Sequence, residues 1–203
     1  MSTPSARSST DVQPAVVAKV GGSLYDLPEL GERLQRLLLS FSGRRILLVA
    51  GGGTSADVVR KLQPVHELSD AAAHRIAMES LRVGERLLCE LIPSAILVSS
   101  LSDMLQPGTF VVQAADFVAS HEKPGVEQLA HDWSVTSDSI AAWIGTQVGA
   151  DEVLLLKSTA APPNLKSAAA TGHVDGAFLT HAGQLRVSWC NLRADESIAH
   201  IVS

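Results

Sequence analysis

The stretch VVAKVGGSLYD, residues Val16–Asp26, decides how the chain is read. Val16, Val17, Ala18 and Val20 make the near-continuous apolar run of a parallel strand covered on both faces, and Gly21-Gly22 ends it. Lys19 interrupts that run near its end. A buried lysine is costly unless its ammonium meets an anion or escapes to the open edge of the sheet. The stretch therefore predicts a strand whose carboxyl end presents a cation beside bare backbone; simple snorkelling of Lys19 to solvent is the alternative. Leu30, Leu34, Leu37 and Leu38 then fall on one helical stripe, which makes the unit strand, glycine loop, helix.

The same unit recurs downstream. Arg44–Ala50 (RRILLVA) reads as a strand ending in Gly51-Gly52-Gly53, with Thr54 and Ser55 able to cap a helix expected to stop at Pro64. Residues 69–91 carry Ile76, Ala77, Leu81, Leu87 and Leu88 at helical spacing behind a Ser69 or Asp70 cap. SAILVSS and TFVVQ read as strands around the Pro107-Gly108 turn. A helix from near Ser137 to Gly149 precedes the strand DEVLLLK. APPN and AAATGHVDG read as loops, and HAGQLRVSWCNLR as a hairpin. The alternation predicts an α/β fold, a three-layer αβα sandwich with a mainly parallel central sheet, right-handed crossovers and ligand sites at the carboxyl ends of the strands. One domain is expected over residues 14–203, behind a Ser-, Thr- and Pro-rich flexible tail over residues 1–13.

Composition narrows the function classes. The 203 residues are 46% hydrophobic and 18% charged, as suits a chain with a well-buried core. A net charge of -5, with no basic run longer than a pair, argues against nucleic acid or an anionic membrane as main partner. No run approaches ~18 apolar residues, and the first residues lack the apolar core of a signal peptide. Cys89 and Cys190 match no metal or disulfide spacing, so two reduced thiols and a cytoplasmic location are expected.

Both glycine loops would sit at the ligand edge. There, backbone N–H groups can approach a phosphate closely, and the following helix adds a dipole of about half a charge. Two such loops on neighbouring strands would place two anion sites together, as a phosphoryl donor and an anionic acceptor require; two tight turns are the plain alternative. GGGTSA also fits G-x-G-x-x-A through Gly51, Gly53 and Ala56, with Asp70 downstream, which by itself would suggest a dinucleotide site. Asp70, however, heads a helical pattern rather than ending a strand, and Lys19 would go unexplained. Thr136-Ser137-Asp138-Ser139 is by itself compatible with an ordinary helix cap.

Taken in order, KVGGS, LLVAGGG and TSDSIAAWIGTQVGADEVLLLK resemble the amino acid kinase superfamily, which includes uridylate kinase and acetylglutamate kinase, over about Val16–Lys157. Within it, AHRIAMESL and HDWSVTSDSIAAWIG are similar to the small archaeal-type kinases of aminomethylfuranmethanol phosphate. The resemblance implies that Lys19 contacts the transferred phosphoryl group, that Gly21, Gly22 and Ser23 hold the ATP phosphates with Thr136 nearby, and that Gly51, Gly52 and Gly53 hold the acceptor. It further implies that Asp138 organises the active-site lysines, that His74 has an acceptor-side role, that ATP and Mg²⁺ take part with no protein-held metal, and that the protein is a homo-oligomer acting on a small anionic acceptor.

Two departures stand out. KSTAAPPN replaces the segment that follows this strand in many relatives, and no GGM loop with its later lysine is present. Lys157 or Lys166 would then have to supply the second positive charge at the transferred phosphate; a domain that binds nucleotide or an oxyanion without turnover is the rival. His131, Asp132 and Asp175 lie near these motifs, with ordinary capping and turn roles open for each. Trp133, Trp143, Trp189 and Met78 are expected to be packing residues.

Overall fold

The computed structural model describes residues 15–123, 128–194 and 200–202. The tail expected over residues 1–13 lies outside them. In chain order the elements are β1 (Val16–Val20), α1 (Leu30–Leu39), β2 (Arg45–Ala50), α2 (Gly53–Val65), α3 (Asp70–Leu91), β3 (Ile96–Val98), β4 (Gly108–Val112), α4 (Ala114–His121), α5 (Ser137–Gln147), β5 (Glu152–Lys157), α6 (Leu165–Ala170), α7 (Phe178–Ala182), β6 (Arg186–Asn191) and β7 (His200–Ile201). One sheet holds all the strands in the order β3-β4-β2-β1-β5-β6-β7. Every pairing is parallel except β6 with β7.

Strand β1 lies inside this sheet because its apolar residues serve both faces. Val16, Ala18 and Val20 join Leu30 and Leu34 of α1 and Leu88 of α3 in one core. Val17, one step out of phase, joins Ile140 and Ile144 of α5 in the other. By the same period of two, Lys19 shares the α5 face with Val17. Register then sets the edge: Val20 pairs with Ala50 on one side and with Leu156 on the other. Gly21, Gly51 and Lys157 thus leave three adjacent strands at one level.

Three local expectations are corrected. Helix α2 runs one residue past Pro64, because a proline in the last turn forfeits only one backbone bond and α2 ends directly after it. Residues 165–170 form α6 instead of part of a loop; Asn164 caps it, its side-chain oxygen accepting from the Ser167 amide at 2.8 Å. No hairpin forms around Gly183, since β6 pairs in parallel with β5 and meets an antiparallel partner only in β7. Among the described residues no helix is long and apolar enough to cross a membrane.

Candidate active site

The two glycine loops are interlocked at the carboxyl edge of the sheet. A Cβ on Gly22 would lie 2.2 Å from the Gly53 nitrogen, and one on Gly51 would lie 2.5 Å from the Gly22 nitrogen. Gly53 itself has φ +52°, the left-handed region that glycine tolerates at least cost. The Tyr25 hydroxyl donates to the Gly51 carbonyl at 2.8 Å and fastens the second loop to the first. Ser23 is tied by its hydroxyl to that of Ser158, just beyond β5, at 2.9 Å. The loops therefore form one backbone platform that side chains would force apart.

Beside that platform Asp138, in the first turn of α5, is paired with two lysines. Lys19 Nζ lies 3.0 Å from its Oδ1, and Lys157 Nζ donates to Oδ1 and Oδ2 at 2.8 and 2.9 Å. All three are buried, with 6% (Lys19), 5% (Asp138) and 9% (Lys157) of their surface exposed. Burial alone would push the Asp138 carboxyl up, but the two ammonium groups together hold it below the usual carboxylate range. Lys157 responds oppositely: burial, reinforced by Lys19 next to it, lowers its pKa to about 8. Two cations on one carboxylate leave one positive charge uncompensated by Asp138 at the edge of the glycine platform.

Asp175 fixes the start of α5. Its carboxylate accepts from the Thr136 amide and hydroxyl at 3.0 and 2.8 Å, from the Ser139 amide at 3.1 Å and from the Ser139 hydroxyl. It caps the helix from a distant segment and so aims Asp138 at the lysines. The neighbouring His173 carbonyl accepts from Lys157 Nζ at 2.6 Å. The GHVDG segment, with capping and turn roles left open from sequence, is thereby part of the site's frame.

A cavity of about 200 Å³ opens on the platform, walled by Lys19, Gly22, Gly52 and Gly53 at one part and by α2, α3 and the segment before α5 elsewhere. His74 lines it, 5% exposed, and among the described residues its buried Nε2 has no hydrogen-bond partner. Burial, with the stacked His131 ring 5.4 Å away, pushes the His74 imidazole below its ordinary range, so it is neutral at physiological pH. His131 Nε2 in turn lies 2.9 Å from Glu122.

Residues 14–161 match the model of the amino acid kinase family. The chain belongs to that family. It is 25% identical over 142 residues to the [5-(aminomethyl)furan-3-yl]methyl phosphate kinase of Methanocaldococcus jannaschii, covering 68% of this chain and 63% of that protein. The chain thus spans less than two thirds of the length of this curated relative. Its fold is similar to that of UMP kinase from Ureaplasma parvum, at TM-score 0.63 and 12% identity over 94% of this chain and 99% of that one. It is also similar to uridylate kinase from Archaeoglobus fulgidus, at TM-score 0.59 and 16% identity over 87% and 90%.

Within this member of the family, Lys19, Asp138 and Lys157 come together, whereas Lys166 sits exposed on α6 and takes no part in the triad. The glycines divide differently from the expectation. The Gly21 amide donates to the Leu156 carbonyl and the Gly51 amide to the Val20 carbonyl, both at 2.8 Å, so these two extend the sheet instead of offering free donors. Gly22, Ser23, Gly52, Gly53, Thr136 and His74 do line the cavity. Asp70 accepts from Gln63 Nε2 at 2.8 Å in the first turn of α3 and does not end a strand, so it does not stand where a dinucleotide site needs its acid. Trp133 and Met78 line the cavity as well, though both read as packing residues from sequence. The Arg60 guanidinium lies over the Trp133 ring at 4.4 Å. No local pattern marks Arg60 or Trp133, because their meeting joins α2 to the segment before α5.

Proposed function

We propose that the protein is an ATP-dependent kinase that transfers the γ-phosphoryl group to a small phosphomonoester acceptor resembling aminomethylfuranmethanol phosphate. The observation that carries this reading is the pairing of Lys19 and Lys157 on one buried carboxylate beside two interlocked glycine loops. Phosphoryl transfer demands positioning and neutralisation of charge on the transferred group and no side-chain nucleophile. In this reading an acceptor phosphate oxygen attacks the γ-phosphorus, and the bond to the β,γ-bridging oxygen breaks. That oxygen leaves with the electron pair on ADP, and the acceptor becomes a diphosphate.

Lys19 and Lys157 face the transferred group's charge, and Asp138 keeps both ammonium groups aimed while they are desolvated. The first amides of α2 lack intrahelical acceptors and serve the anion at Gly53. Mg²⁺ would enter with the nucleotide substrate and neutralise charge on its phosphates, since both Asp138 oxygens already face lysine. Purified protein, MgATP and a panel of phosphomonoesters that includes UMP test the reading. Formation of ADP and a diphosphate with one of them supports it; nucleotide binding with no product from any acceptor overturns it.

A pH dependence follows from Lys157. With a pKa of about 8, its ammonium is charged below that pH and neutral above it. The expected result is a fall in kcat/KM as pH rises through about 8, since this ratio reports groups on the free enzyme. Lys157→Arg, which cannot lose its proton in that range, should remove the fall at the cost of a lower plateau. A profile flat to pH 10 would show that Lys157 charge is not used.

A further inference from the structure

The turn after β6 reaches back to the first glycine loop. Strand β6 pairs with β5 in parallel, Asn191 beside Lys157, so its carboxyl end stands at the same edge of the sheet as Gly21 and Gly51. The Leu192 amide donates to the Lys157 carbonyl at 2.9 Å. Arg33 of α1 braces the turn, its Nη1 donating to the Leu192 and Ala194 carbonyls at 3.1 and 2.5 Å, and the Arg193 amide donates to Asn191 Oδ1 at 3.0 Å. Arg193 is therefore presented from a fixed backbone. Its Nη2 donates to the Ser23 carbonyl at 2.8 Å and to the Asp26 carboxylate. Among the described residues these are the contacts of the guanidinium, which leaves Nη1 and Nε for another acceptor.

We infer that Arg193 binds the phosphate chain of the donor nucleotide, exchanging Asp26 for it when the nucleotide enters. This rests on the kinase reading and adds a residue to its donor side. Ser23 lines the cavity, and a groove that shares Gly22, Ser23 and Gly53 with it extends to Asp26. The Arg193–Asp26 pair thus borders space that an anion on the platform can reach. In-line transfer puts the attacking and leaving oxygens on opposite sides of the transferred group. The cavity lies toward α2 and α3, which follow β2, and β2 and β5 flank β1 on opposite sides. The leaving diphosphate therefore belongs toward β5 and β6, where Ser158 and Arg193 hold Ser23. Charge points the same way, since Asp138 already offsets one of the two lysines while a nucleoside triphosphate brings several negative charges. The Asp26 side chain is 80% exposed, so its pair with Arg193 contributes little. A phosphate offers the guanidinium fork more charge and more acceptor oxygens than that carboxylate.

Calorimetric titration with the Mg²⁺ complex of β,γ-imido-ATP, on the full chain, tests this without needing an acceptor. Arg193→Gln should raise Kd about ten- to a hundredfold, the loss expected for hydrogen bonds to a charged group, and Arg193→Lys should fall between the two. Asp26→Asn, which removes the competing carboxylate, should lower Kd by up to about fivefold, and the gain should vanish in the Arg193→Gln background. A residue that only fastens the loop predicts the reverse sign, because Asp26→Asn would then loosen Ser23 and raise Kd. Unchanged affinity in Arg193→Gln, or a raised Kd in Asp26→Asn, would overturn the inference and leave the kinase reading in place. If Arg193→Gln does not fold, the sign of the Asp26→Asn effect decides. No binding of the nucleotide to the wild-type chain would overturn both.

Discussion

Lys19→Ala is expected to lower kcat for phosphoryl transfer by about 10²–10³-fold, the usual loss when one preorganised donor to developing charge is removed. The fold should survive the change. Asp138 keeps both of its contacts with Lys157 at 2.8 and 2.9 Å, so no buried carboxylate is orphaned. Loss of Lys19 also relieves the repulsion that helps to lower the Lys157 pKa. The melting temperature should therefore move by only a few degrees, and the pH above which activity falls should rise. Lys19→Met, which fills the same space without charge, separates packing from electrostatics. Transfer at the wild-type rate by either variant would remove Lys19 from the mechanism.

Asp138→Ala has the largest expected effect on stability. It leaves the ammonium groups of two buried lysines close together with no shared anion. Removing one partner of a buried ion pair destabilises by about 3–5 kcal/mol, and in a chain of this size each kcal/mol shifts Tm by roughly 2–4 °C. A fall of about 10 °C or more is the expected outcome in thermal melts followed by circular dichroism, together with loss of transfer. Adding Lys19→Met to Asp138→Ala removes one of the repelling charges. The double variant should regain part of the lost Tm but none of the activity, because the two effects have separate causes. An unchanged Tm in Asp138→Ala would mean that both lysines find other anions or water.

Features carried by short segments were legible in the chain. Lys19 stands out because an ammonium in an apolar strand demands an explanation, and Gly22, Gly52 and Gly53 because a tight turn at a strand end demands small residues. Asp138 could be named only through the resemblance, since a carboxylate in the first turn of a helix is also an ordinary cap. Lys157 is the expected second cation from sequence, with Lys166 as its alternative. Only the pairing of β5 with β1 separates them, placing Lys157 at the level of Gly21 while Lys166 goes to the exposed side of α6. Asp175 stands out in the sequence, but its role stays open there, because its partners Thr136 and Ser139 lie at least 36 residues from it.

By itself the sequence determined the alternation of strands and helices, the parallel sheet and the ligand edge, because periodicity, glycine and proline act over a few residues. It also determined that a cation stands at that edge. Tertiary structure decided which carboxylate neutralises it, which second lysine joins it, and that Gly21 and Gly51 spend their amides on the sheet while Gly22 and Gly53 meet. It decided too that Arg60, Trp133 and His74 line one cavity. Those outcomes depend on strand order and on the antiparallel packing of α2 on α3, which bring together side chains distant along the chain.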